Sequence, residues 1–186
     1  MREAGDRFAL GHQRVLHRAR IGVPQRHAAH QHLLGRRIVR QALDQDALAD
    51  GGSVVALSYI GAQRTFSKYS EMGDAKALLE SIVRSFGYRL GKRGIRINSI
   101  SQSPTRTTAG SGIAGFDTMF EFADKIAPLG NADAASCADF TVALLSDLTR
   151  MVTMQTLYHD GGFSAMGVSD ELLDVIGQTL TAASNG

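Results

Sequence analysis

GGSVVALSYIGAQRTFSKYSEMGDAKALLESIVRSFGYRLG, residues 51–91, carries the change of rhythm that decides the fold. After two glycines, SVVALSY (residues 53–59) is a short apolar run with β-branched valines, the pattern of a buried strand. A polar loop follows from Gly61 to Ser67. Met72, Ala75, Leu79, Ile82, Val83, Phe86 and Leu90 then recur every three or four residues, the stripe of an amphipathic helix that ends at Gly91.

The same alternation continues toward the C-terminus. GIRINSIS (residues 94–101) predicts a second strand, with Pro104 blocking its continuation. Phe116, Met119, Phe120, Ala123 and Ile126 mark a shorter helix before Pro128. Asp133 is placed to cap another that runs to about Ser146. A last strand, residues 155–159, ends at Asp160-Gly161-Gly162. Strand, helix, strand, helices, strand predicts a parallel sheet with right-handed crossovers.

Toward the N-terminus the text is different. The chain has 186 residues, the size of one domain, with a near-average 44% hydrophobic and 20% charged residues. Residues 1–50, however, hold nine of the sixteen arginines and five of the six histidines, and no Lys, Ser, Thr, Asn or Tyr. Caps and turns normally draw on those missing types, so this segment reads as disordered or frame-shifted and residues 51–186 as the folded part. The net charge of +2 and the absence of aromatic interleaving among the arginines speak against nucleic acid. No apolar run is long enough to cross a bilayer, no leader is recognisable and one cysteine cannot form an internal disulfide; together these predict a cytoplasmic protein.

Chemistry enters through Tyr69 and Lys76. Seven helical residues return to within about 20° of the same face, so both side chains can serve one ligand. A phenol titrates near 10, and a neighbouring ammonium favours its anion, so Lys76 is expected to lower the pKa of Tyr69. Cys137, on the apolar side of a helix with no histidine to activate it, reads as core. His159 reads as structural, and no His/Cys/Asp cluster has metal-ligand spacing.

With Tyr59 ten residues before Tyr69, SYIGAQRTFSKYSEMGDAKALLES resembles the NADH-dependent enoyl-acyl-carrier-protein reductases of the short-chain dehydrogenase/reductase superfamily. The likeness continues through LGKRGIRINSISQSPTRTTAGSGI, APLGNA, LLSDLTRMVT and LYHDGGFSAMG, over residues 51–167. It implies an α/β fold, the C-terminal part of a doubly wound, Rossmann-like parallel sheet. The N-terminal dinucleotide-binding half is expected to be missing, because no glycine-rich turn with a following serine precedes Ser53.

The resemblance further implies reduction of a trans-2-enoyl thioester on acyl carrier protein in fatty-acid biosynthesis, with NADH as donor. Tyr69 would donate a hydrogen bond to the enolate oxygen, with Tyr59 as the second active-site tyrosine. Lys76 would hold the nicotinamide ribose and keep positive potential near Tyr69. The loop Thr105, Arg106, Thr107, Thr108 and Ala109 would meet the carboxamide and pyrophosphate, and Phe116, Met119, Phe120 and Ile126 would line an acyl-chain lid. Homo-oligomerisation through residues 69–90 is the partner expectation, with neither nucleic acid nor membrane. Two alternatives stand beside this reading. One is a carbonyl reductase of the same superfamily, disfavoured by Ala56 at the usual serine position. The other is a noncatalytic chain that pairs with full-length subunits.

Overall fold

Three parallel strands, in the order β1-β2-β3, form the sheet among the described residues. The computed structural model describes residues 48–67, 69–107 and 115–184, and those from Ala49 onward belong to one compact unit. β1 spans Ser53–Ser58, α1 Ser70–Leu90, β2 Arg96–Gln102, α2 Phe116–Ile126, α3 Ala134–Leu145, β3 Thr156–His159 and α4 Asp170–Ser184. Within a residue or two, the first six are the elements expected from periodicity. α4 was not anticipated.

β1 pairs in parallel with β2 from Ser53↔Arg96 to Ser58↔Ser101, and β2 with β3 from Ser99↔Thr156 to Gln102↔His159. Successive side chains on a strand face opposite ways, so each face of the sheet collects alternate residues. Val55, Ile100 and Leu157 pack with Cys137, Phe140 and Leu144, which puts α3 on one face. On the other face Ser58 bonds Glu80 of α1, and Gly87 of α1 lies against Ile97 and Met154. Helices thus cover both faces, which is why β2 is buried along nearly its whole length. Cys137 lies in this core, where burial pushes its thiol pKa up, as its sequence context implied.

Helix ends are satisfied locally. Asp133 caps α3 by accepting from the Ser136 amide at 2.7 Å. At the other end of α3, the buried Arg96 of β2 donates to the carbonyl oxygens of Leu144 at 2.8 Å and Ser146 at 3.0 Å, and to Thr149 Oγ1 at 3.1 Å. No helix among the described residues is long and apolar enough to cross a membrane.

Candidate active site

Open α/β sheets place ligands beyond the carboxyl ends of their strands, and three connections converge there. Tyr59 follows β1 directly in extended conformation and opens a 3-10 turn over Ile60–Ala62. Tyr69 immediately precedes α1. Beyond β3, Asp160 turns the chain through Gly161 and Gly162, both at positive φ. Its two carboxylate oxygens accept from the amides of Gly162 and Ser164 at 3.1 and 3.0 Å. Gly161 is required by space as well as by φ, since a Cβ there would stand 2.0 Å from the Gly130 carbonyl oxygen.

The two tyrosines meet edge to face, with ring centroids 5.0 Å apart and planes at 70°. Both are buried in a cluster with Ile60, Ala123, Ile126, Ala127 and Phe163, against which Phe66, Met72, Met119, Met166 and Leu172 pack. Phe116 and Phe120 of the expected lid contact each other with rings tilted at 41°, whereas Met119 and Ile126 adjoin the tyrosines. The hydroxyl of Tyr59 is buried without a hydrogen-bond partner among the described residues. An orphaned buried donor costs free energy, and it fits a site that receives an oxygen acceptor from a ligand.

Lys76 reaches back to the end of β1, where its Nζ donates to the Leu57 carbonyl oxygen at 2.8 Å, and burial lowers its pKa. It does not lower the pKa of Tyr69 as expected. Burial dominates instead, pushing the Tyr69 phenol up to about 12. Tyr59 is raised as well, by burial first and then by the neighbouring Tyr69 and Asp160. Both hydroxyls therefore remain protonated near neutrality, the state needed to donate.

The loop after β2 is only partly joined to this centre. Ser103 is fixed by its amide to the His159 carbonyl oxygen at 3.1 Å and by its hydroxyl, which accepts from the Ala132 amide at 3.0 Å. Thr105 donates to the Ser103 carbonyl oxygen at 3.0 Å. Arg106 turns to α2, bridging Asp117 at 2.6 Å and Glu121 at 3.5 Å with its guanidinium over the Phe120 ring. Thr107 is exposed, while Thr108 and Ala109 lie outside the described residues. His159 stacks on Phe140 and bonds Gln102 Oε1 through Nδ1 at 2.7 Å, a structural placement. Among the described residues no group of His, Cys, Asp and Glu is arranged to hold a metal.

Several residues that build the site were not singled out from sequence. A Cβ on Gly61 would stand 2.6 Å from the Tyr69 ring and 3.1 Å from that of Tyr59, so only glycine lets the turn lie against both. Glu80, buried in α1, accepts from the Ser58 hydroxyl at 2.6 Å and from Gln63 Nε2 at 3.1 Å. Arg64 donates to the Ser164 carbonyl, tying the β1–α1 loop to the turn after β3. Glu80 did have a signal: Tyr69, Lys76 and Glu80 are seven and four residues apart, within about 40° of one another around a helix.

A parallel sheet wound by helices on both faces, with Tyr59, Tyr69 and Lys76 gathered at its carboxyl ends, defines a Rossmann-like protein of the short-chain dehydrogenase/reductase class. The family model described as Enoyl-(Acyl carrier protein) reductase matches residues 33–164, well over half of the chain, and the chain belongs to that family. The match reaches back into the Arg/His-rich segment.

Among curated relatives, the Nostoc enoyl-[acyl-carrier-protein] reductase [NADH] FabI is 40% identical over 122 residues, covering 65% of this chain and 47% of the relative. The Staphylococcus aureus enzyme, named as the NADPH-dependent FabI, is 39% identical over 120 residues, covering 64% and 47%. The solved FabI–NADH complex from Alistipes finegoldii is 58% identical, with a TM-score of 0.70, covering 72% of this chain and 48% of that one. The chain thus spans about half the length of the relatives it matches.

Proposed function

We propose that this chain carries the tyrosine–lysine end of an enoyl-acyl-carrier-protein reductase site and acts in the reduction of trans-2-enoyl thioesters in fatty-acid biosynthesis. The observation that carries this reading is the buried Tyr59–Tyr69 pair, 5.0 Å apart, with the unpartnered Tyr59 hydroxyl and Lys76 anchored at the adjoining strand end. The donor is NADH, in line with the named cofactor of the Nostoc relative and of the Alistipes complex. When bound, it supplies a hydride to the β carbon of the thioester.

The residues of this chain do the rest. Tyr69, held neutral by burial, donates a hydrogen bond to the thioester oxygen as negative charge gathers there. Tyr59 supplies a second protonated hydroxyl beside it. Lys76 holds the nicotinamide ribose hydroxyls, exchanging its bond to Leu57 for them. The backbone at Thr105, Arg106 and Thr107 meets the carboxamide and pyrophosphate, as the resemblance implies for the loop through Ala109, and Arg106 orients α2 through Asp117 and Glu121. The aromatic and methionine cluster around the tyrosines excludes water and accepts the acyl chain.

Residues 51–186 act as the C-terminal portion of the domain, in a cytoplasmic homo-oligomer that pairs through residues 69–90. Acyl carrier protein delivers the substrate.

The test is consumption of NADH by the 186-residue chain with a short 2-enoyl thioester, set against Tyr69→Phe and Lys76→Ala. Turnover that falls in both variants supports the reading. Turnover equal in all three chains, or none in any, refutes it.

A further inference from the structure

A carboxylate as deeply buried as that of Glu80, 4% exposed in the middle of α1, costs free energy that an apolar side chain packed on the sheet would not. Its surroundings show what it holds. The Ser58 hydroxyl donates to one oxygen at 2.6 Å and Gln63 Nε2 to the other at 3.1 Å. Ser58 is the last residue of β1, and Gln63 closes the 3-10 turn. The two therefore bracket the span from Tyr59 to Ala62. Gln63 is held in turn by the Tyr158 hydroxyl of β3, so the network joins two strands, the turn and α1.

We propose that Glu80 is a positioning residue of the tyrosine site, its carboxylate fixing the turn that carries Tyr59 against the helix that carries Tyr69 and Lys76. A carboxylate suits the task because both of its oxygens accept at once. One group thereby pins both ends of a span whose middle residue, Gly61, lies against the Tyr59 and Tyr69 rings. Lys76, one helical turn earlier, makes the parallel attachment to the backbone at Leu57. The two oxygens of Glu80 are occupied by protein donors, so it acts through the tyrosines and not on substrate. The catalytic consequence rests on the reading that Tyr59 and Tyr69 face the enoyl thioester. The geometric one does not.

The experiment uses the full 186-residue chain with tyrosine rings labelled with carbon-13, the two signals being assigned through Tyr59→Phe and Tyr69→Phe. In Glu80→Ala the Tyr59 and Tyr69 signals are expected to shift or broaden, while that of Tyr88, exposed on the same helix, stays in place. Because small misplacements of reacting groups are costly, kcat for the 2-enoyl thioester should fall roughly a hundredfold while the KM for NADH moves little. Glu80→Gln, which keeps the side chain's length and an acceptor for Ser58 but faces Gln63 Nε2 with a second donor, should recover the tyrosine signals and kcat only in part, between Glu80→Ala and the parent.

Unmoved Tyr59 and Tyr69 signals in a folded Glu80→Ala chain would overturn the proposal. Where that variant does not fold, Gln63→Ala removes one of the two attachments from an exposed position, and unmoved signals there overturn it equally. A parent chain that reduces no thioester defeats the enzymatic reading alone, because the tyrosine spectra still decide the role of Glu80.

Discussion

A Cβ on Gly73 would stand 2.6 Å from the carbonyl oxygen of Gly61, so the first turn of α1 rests directly on the backbone of the turn after β1. Gly73→Ala sets two effects against each other. Alanine in a helix gains up to about 1 kcal/mol over glycine, whereas overpacking costs about 1–3 kcal/mol, and the obstacle here is backbone that cannot rotate away. The clash wins. Net destabilisation of about 1–2 kcal/mol is expected from urea unfolding, and a midpoint equal to or above the parent's would contradict this packing.

The titration of Tyr69 sets an alkaline limit. Its phenol, ordinarily near 10, is raised to about 12 in the fold because burial disfavours the anion. The folded state therefore holds the proton more tightly than the unfolded state. The stability this contributes is intact below pH 10 and is lost as pH rises through about 12. Phenolate absorbance should show Tyr69 ionising well above the ordinary value near 10, its contribution isolated with Tyr69→Phe. Ionisation of Tyr69 near 10 would mean that the ring is not buried.

Tyr69→Phe keeps the ring in its edge-to-face contact with Tyr59 and removes only the hydroxyl. Loss of one preorganised donor to a developing oxyanion costs roughly a hundred- to a thousandfold in kcat. That loss is expected with the unfolding midpoint held near the parent's. A comparable fall in Tm would instead assign the hydroxyl to stability.

Arg96 makes a different kind of prediction, about the scaffold alone. Its guanidinium satisfies the Leu144 and Ser146 carbonyls and the Thr149 hydroxyl at the end of α3. Arg96→Met keeps the apolar stem and strands these acceptors, at a cost of roughly 2–3 kcal/mol. Urea unfolding measures it, and a loss below about 0.5 kcal/mol would show that water replaces the guanidinium.

Much of the scaffold is legible in residue order. The stripe from Met72 to Leu90, the break at Gly91, the cap at Asp133 and the turn at Asp160-Gly161-Gly162 all fall where the structure has them. Each is a local signal, set by helical period, a side chain bonding its own backbone, or a φ that glycine tolerates. α4 escaped because its apolar residues, Leu173, Val175, Ile176 and Leu180, are exposed and mark no core face. Its start was nonetheless written in Ser169-Asp170-Glu171, where the Ser169 hydroxyl accepts from the Leu172 amide at 3.3 Å ahead of an acidic first turn.

The candidate site divides the same way. The Tyr69–Lys76 pair was visible as a helical spacing, whereas Tyr59 was singled out only through the resemblance to the enoyl reductases. The direction of the Tyr69 pKa was not, because it depends on how much protein surrounds the ring. Nor was the engagement of Arg106 by Asp117 and Glu121, which requires the loop after β2 to fold back on α2.

By itself, then, the sequence determined the order of strands and helices and the parallel sheet they imply, and its resemblance to a family pointed to Tyr59, Tyr69 and Lys76. The order and the sheet follow from periodicity and short-range capping, and the three side chains from the resemblance to the enoyl reductases. Only the tertiary structure decided that Glu80 braces the Tyr59 turn, that Gly61 and Gly73 let backbone and ring meet, and that both phenols stay protonated. Those outcomes depend on burial and on contacts between residues of different elements, and nothing in the local sequence reports either quantity.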